Sequence, residues 1–146
     1  MTGRDHLEVV HLPGGPGALR MPYVPAIKVL SGKTVYVAGV TAAPVYHQHP
    51  HVPADFDTIP ADPEAQTRAA MDNLQRCLQA AGGDLSHLVQ LFRFIKDLDR
   101  NQVVIGRVMA EYLGDQLPTT TTVEVVRLAT DPRLVLELTA VAVVPG

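Results

Sequence analysis

The run Leu117-Pro118-Thr119-Thr120-Thr121-Thr122-Val123-Glu124-Val125-Val126-Arg127-Leu128 decides how this chain is read. It is followed by Leu134-Val135-Leu136-Glu137-Leu138-Thr139-Ala140-Val141-Ala142-Val143. Both are dense in β-branched and apolar residues, which suit a pleated, half-buried surface. Thr130-Asp131-Pro132 between them reads as a turn. Strands are therefore expected at about 119–128 and 134–144. Alternation puts Thr120, Thr122 and Glu124 on one face of the first strand, and Glu137 and Thr139 on one face of the second.

Upstream, Leu88 to Leu98 is a further strand candidate, with Val89, Leu91, Arg93 and Ile95 on one side and Phe92 and Phe94 on the other. Two helices flank it. The first opens at Asp62-Pro63-Glu64, with an N-cap acceptor, proline in the first turn and an acid near the positive dipole end. Ala65, Ala69, Ala70, Leu74, Cys77, Leu78 and Ala81 continue it as an apolar stripe, and Gly82-Gly83 stops it. The second runs from Asp99 to Leu113 and closes at Gly114. Nearer the start, Leu7 to Leu12 reads as a short strand ended by Pro13-Gly14-Gly15-Pro16-Gly17. That loop lacks the strand-to-helix context and the Lys-Ser/Thr pair of a phosphate cradle. Val24 to Leu30 and Thr34 to Val40, separated by Ser31-Gly32-Lys33, predict a hairpin.

The element order β-β-β-α-β-α-β-β implies an α+β domain spanning 1–146, a mixed sheet with both helices on one face. Two helices cannot also cover the other face, so subunit association is expected. Hydrophobic residues are 47% and charged residues 18% of the 146, the balance of a soluble globular chain. With 12 Lys+Arg against 15 Asp+Glu the formal charge is −3, which attracts neither phosphate backbones nor anionic lipid. Aromatics at 5% leave no base-stacking platform, so a nucleic-acid partner is not expected. The single cysteine, Cys77, excludes an intramolecular disulfide and reads as a small buried apolar residue. The start Met1-Thr2-Gly3-Arg4-Asp5-His6 is no signal peptide, and no apolar run approaches the ~20 residues of a membrane span. A cytoplasmic protein is expected.

Several short pieces now take on meaning together: Pro22-Tyr23-Val24, Ala38-Gly39, Gln66-Thr67, Asn73-Leu74 with Ala80-Ala81-Gly82, Lys96-Asp97-Leu98, Glu111-Tyr112-Leu113-Gly114, and the two terminal strands. In this order and spacing, from about Pro22 to Val144, the chain resembles the Rid/YjgF family of small imine and enamine deaminases. The resemblance implies a chorismate-mutase-like fold, a homotrimer closing a central barrel, and pockets at the subunit interfaces. It implies no cofactor. In family deaminases an arginine two residues after the proline holds the substrate carboxylate, a glutamate activates water, and a tyrosine lines the site. Tyr23 matches the tyrosine. The arginine position is Thr120 and the glutamate position is Thr139, with Glu137 matching another family acid. Ala38 and Gly106 stand where many members carry polar residues.

The candidate site follows from these residues. Glu137, Tyr23 and His49 are the candidate catalytic groups; Thr120, Thr122, Thr139, Arg93, His47 and His51 are candidates for substrate binding. Arg93 is a charge amid apolar neighbours and must be paired or face a polar cavity, where it could replace the missing carboxylate clamp. His47, His49 and His51 lie in the long proline-rich loop from Ala42 to Ala61. Alternate residues of an extended segment share a side, so these imidazoles could line a pocket, do acid–base work or converge on zinc, or the loop could simply be solvated. No cysteine or second histidine pair lies nearby to complete a metal site, and no metal is expected. The expected activity is hydrolytic deamination or rearrangement of a small imine, enamine or related unsaturated intermediate. A cyclase, isomerase or hydrolase acting on a neutral ring, and a non-catalytic ligand-binding trimer, are the alternatives.

Overall fold

A computed structural model describes residues 3–146; the first two residues of the N-terminal reading lie outside it. The strands are β1 (Leu7–Val10), β2 (Ala26–Val29), β3 (Lys33–Val40), β4 (Leu88–Lys96), β5 (Thr119–Val125) and β6 (Leu136–Val144). The helices are α1 (Pro63–Ala80) and α2 (Leu98–Leu113). The α1 start forms as its residues demand: the Asp62 carboxylate accepts from the Ala65 amide at 3.0 Å, with Pro63 opening the helix.

The main sheet has the order β3-β6-β4-β5. β6 runs antiparallel to both β3 and β4, while β5 is parallel to β4. The two C-terminal strands are thus separated by β4. The α1 crossover carries the chain from β3 over β6 to β4, and the α2 crossover from β4 to β5. Both helices pack on one face, and the α+β, chorismate-mutase-like architecture is present. The core between helices and sheet contains Met71, Leu74, Leu78, Leu91, Ile95, Ile105, Leu138 and Ala142, all at 0% exposure. Cys77 is half-buried against it. No helix among the described residues is long and apolar enough to cross a membrane.

The expected hairpin does not form. β2 pairs with β1 in a separate two-stranded ribbon, and β3 pairs with β6. The reason lies in β6, which is buried or half-buried along its whole length and needs a neighbour on each edge. Gly32 allows the chain to pass from the ribbon into the sheet. Its φ is +112°, and a Cβ there would lie 2.5 Å from the Val144 carbonyl oxygen.

The face away from the helices is uncovered in the single chain. Tyr36 on β3 is 80% exposed and Val123 on β5 is 41% exposed. Phe92 and Phe94 on β4 stack there with ring centroids 6.4 Å apart.

Candidate functional site

The sheet register sorts the candidate residues. Arg93 pairs with Thr122 on β5 and Leu138 on β6; Leu91 pairs with Thr120 and Ala140. Because Leu91, Leu138 and Ala140 are buried beneath the helices, Arg93, Thr120 and Thr122 share the helix-side face. There they line a cavity of about 720 Å³ with Tyr23, Gln102 and Met109. The Arg93 Nε donates to Thr122 Oγ1 at 2.8 Å, and Nη1 approaches Met109 Sδ at 3.8 Å. No carboxylate among the described residues forms an ion pair with it. Burial pulls its pKa below the usual guanidinium value, the mark of a desolvated and uncompensated cation. Thr120 Oγ1 beside it is buried with no hydrogen-bond partner among the described residues. A Cβ at Gly106 would come within 3.8 Å of Arg93 Nη1, so this helical glycine lies against the guanidinium.

Gln102 and Met109 were not singled out from the sequence. Their signal was available: 102, 106, 109 and 113 follow helical spacing along α2, and all four line the cavity. A second recess of about 630 Å³ adjoins it, sharing Pro22, Tyr23, Ala110 and Leu117, and is formed by the exposed 11–25 connection.

Glu137 and Thr139 occupy the opposite face. They pair with Phe94 and Phe92, and Thr139 Oγ1 donates to the Val37 carbonyl at 2.9 Å. β3 shifts register between Val37 and Val40, beside Glu137. Gly39 in that bulge leaves the space that the Glu137 carboxylate fills; a Cβ would collide with Oε2. Partial burial raises the Glu137 pKa above the ordinary carboxylate value. Within one chain, therefore, this acid and the Arg93 guanidinium are on opposite sides of the sheet.

His47, His49 and His51 form a third group, apart from both cavities, whose linings include none of them. Their ring centroids are 4.8–5.1 Å apart, and His47 and His51 meet Phe56 edge-on at 5.0 and 5.4 Å. Phe56, 1% exposed, belongs to a small apolar cluster with Ala43, Ile59, Leu128 and Leu134. Arg133 fixes the same loop, donating to the Pro53 carbonyl at 3.0 Å and pairing with Asp57 at 3.0 Å.

Comparison with known proteins places these features. The family model described as Endoribonuclease L-PSP matches residues 16–144. A RutC family protein of Sulfurisphaera tokodaii is 38% identical over 110 residues, covering 75% of this chain and 79% of that protein. Among solved structures, the Rid family protein YyfB of Yersinia pestis superposes with a TM-score of 0.73 at 23% identity, over 95% of this chain and 99% of that one. That likeness bears on the fold alone. Escherichia coli TdcF with bound serine is similar with a TM-score of 0.63 and 27% identity, over 94% of this chain and 98% of that one.

Proposed function

This chain belongs to the Rid/YjgF family, and from that premise we propose that it deaminates a small anionic imine or enamine in the Arg93 cavity, within a homotrimer. The observation that carries this reading is the Arg93 guanidinium, which lies in a cavity with no acid among the described residues to neutralise it. A half-buried cation of this kind calls for an anionic partner. Arg93 projects from β4 one strand over from Thr120, so the carboxylate clamp has moved between neighbouring strands of the same face. The serine bound by TdcF supports a ligand of amino-acid size.

In this reading the substrate carboxylate accepts from Arg93, with the hydroxyls of Thr120 and Tyr23 close by. Protonation at carbon with loss of a proton from nitrogen converts an enamine to its imine. Water then adds to the C=N carbon while Glu137 takes one water proton and returns it to nitrogen, giving a carbinolamine. The carbinolamine hydroxyl proton next passes through Glu137 to nitrogen as C=O forms and the C–N bond breaks. Ammonia and a carbonyl product leave. Since Glu137 faces away from Arg93 within one chain, the acid comes from a neighbouring copy. No cofactor is required. The −3 charge weighs against a polyanionic nucleic-acid substrate.

The test couples a serine or threonine dehydratase, which releases 2-aminoacrylate or its homologue, to this protein. Faster appearance of the keto acid is expected. Arg93→Gln should raise KM roughly 10- to 100-fold, the loss of one charge-assisted interaction of about 1.5–3 kcal/mol. If folded trimer gives no acceleration, the deaminase reading fails, and the non-catalytic ligand-binding trimer takes its place. The separation of Glu137 from Arg93 is the observation that favours that second reading.

A further inference from the structure

We propose that His47, His49 and His51 form a three-imidazole site for a borderline divalent cation of the zinc class. Each side chain offers one ring nitrogen, and the three nitrogens lie within 4.8 Å of one another. Tetrahedral zinc with nitrogen ligands at 2.0–2.1 Å needs these atoms about 3.4 Å apart. Small side-chain rotations close that difference, and His49 and His51 are exposed enough to make them.

Three features set this trio apart from a solvated histidine loop. His47 Nδ1 lies 2.9 Å from the Pro44 carbonyl oxygen, which can only accept. Nδ1 is therefore the protonated nitrogen, and the Nε2 lone pair is left free for a metal, the tautomer selection that outer-shell carbonyls impose on ligating histidines. The backing is rigid: Phe56 is packed in its own apolar cluster, and Asp55 holds Gln48 through both its backbone amide and its side chain, at 3.3 Å each. Finally, aromatic packing accounts for only two of the rings. His47 and His51 rest on Phe56, whereas His49 meets no ring among the described residues except those two histidines. A water-exposed imidazole gains little from that position unless the three share a ligand. Three nitrogen donors leave the fourth tetrahedral position to water or another small ligand on the exposed side. The site is separate from the Arg93 cavity and does not depend on the deaminase reading.

The experiment uses untagged, chelator-treated protein titrated with zinc chloride by calorimetry, and with cobalt chloride followed by visible ligand-field absorption. One ion per chain and the absorption of a tetrahedral cobalt centre are expected. His47→Gln, His49→Gln and His51→Gln should each weaken zinc binding by at least about 100-fold, more than the loss of an outer-shell partner. His11→Gln, a change at an exposed histidine elsewhere, should leave the affinity unchanged. Circular dichroism checks folding. Should the changes at His47 and His51 disturb the loop through Phe56, His49→Gln decides the matter, since His49 packs only on the other two. Absence of stoichiometric binding, or binding that survives His49→Gln, overturns the proposal.

Discussion

Gly39 and Glu137 show how two residues can determine each other. The carboxylate occupies the space that the absent Cβ leaves in the β3 bulge. Gly39→Ala should therefore displace Glu137 and destabilise the protein, and in a Glu137→Ala background the same change should be nearly neutral. A double-mutant cycle by urea denaturation measures the coupling, and additive effects would refute the contact. The raised Glu137 pKa has its own consequence. Between the ordinary carboxylate value and the raised one, the native state holds more protons than the unfolded state. Stability contributed by this group therefore falls as pH rises through that window. Glu137→Gln should gain on the native protein as pH increases across the carboxylate range, a trend that denaturation midpoints at several pH values will reveal. If Glu137 is the water activator, turnover shows the opposite slope and is lost as pH falls through the raised value.

Helix α1 owes its position to contacts at both its start and its middle. Asp62 caps the first turn, and buried Gln66 donates to the Pro60 and Arg133 carbonyls at 2.9 and 2.8 Å while accepting from the Val135 amide at 2.9 Å. Asn73, further along, donates to the Thr41 and Ala43 carbonyls and so ties down the start of the histidine loop. Asp62→Ala should lower stability by about 1 kcal/mol, measured by urea unfolding, with little effect on the Arg93 cavity. Helix α2 begins differently. Asp97 adopts a left-handed conformation with φ 51°, and the Glu124 carboxylate accepts from the Leu98 amide at 2.9 Å. An acid on β5 thus satisfies a free amide at the positive end of the helix and ties it to the strand that carries Thr120 and Thr122.

The assembled molecule has an unfinished side. The helix-free sheet face presents Tyr36, Phe92, Phe94 and Val123, together with Glu137 and Thr139. Copies of the same chain meeting on this face would cover it. The proposed shared site requires in addition that an acid from one copy reach the cavity of another. Light scattering at micromolar concentration should give three times the chain mass. A sharper test mixes Arg93→Gln and Glu137→Gln chains, each impaired alone, by joint unfolding and refolding. Recovered deamination means that the two residues act from different copies; no recovery, with mixed trimers demonstrated, means that they do not.

The elements themselves were legible because their signals are local. Asp62-Pro63 opened α1 and Gly82-Gly83 closed it, the apolar stripe between set its buried face, and the pattern of 119–128 and 134–144 marked two strands, which form over Thr119–Val125 and Leu136–Val144. Strand partners were not legible. The local turn at Ser31-Gly32-Lys33 suggested a hairpin, yet β6 drew β3 to one edge and β4 to the other, because a strand buried or half-buried along its whole length gains most at the centre of a sheet. Alternation alone placed Glu137 with Thr139 and Thr120 with Thr122. Which pair shared a side with Arg93 depended on the register of β4 against both neighbours. The H-x-H-x-H spacing was plain from the start, but its convergence depends on Phe56 and on Arg133, some eighty residues from the loop it braces. Short-range chemistry lies in the order of residues. Long-range placement follows from the burial that the folded chain as a whole makes most favourable.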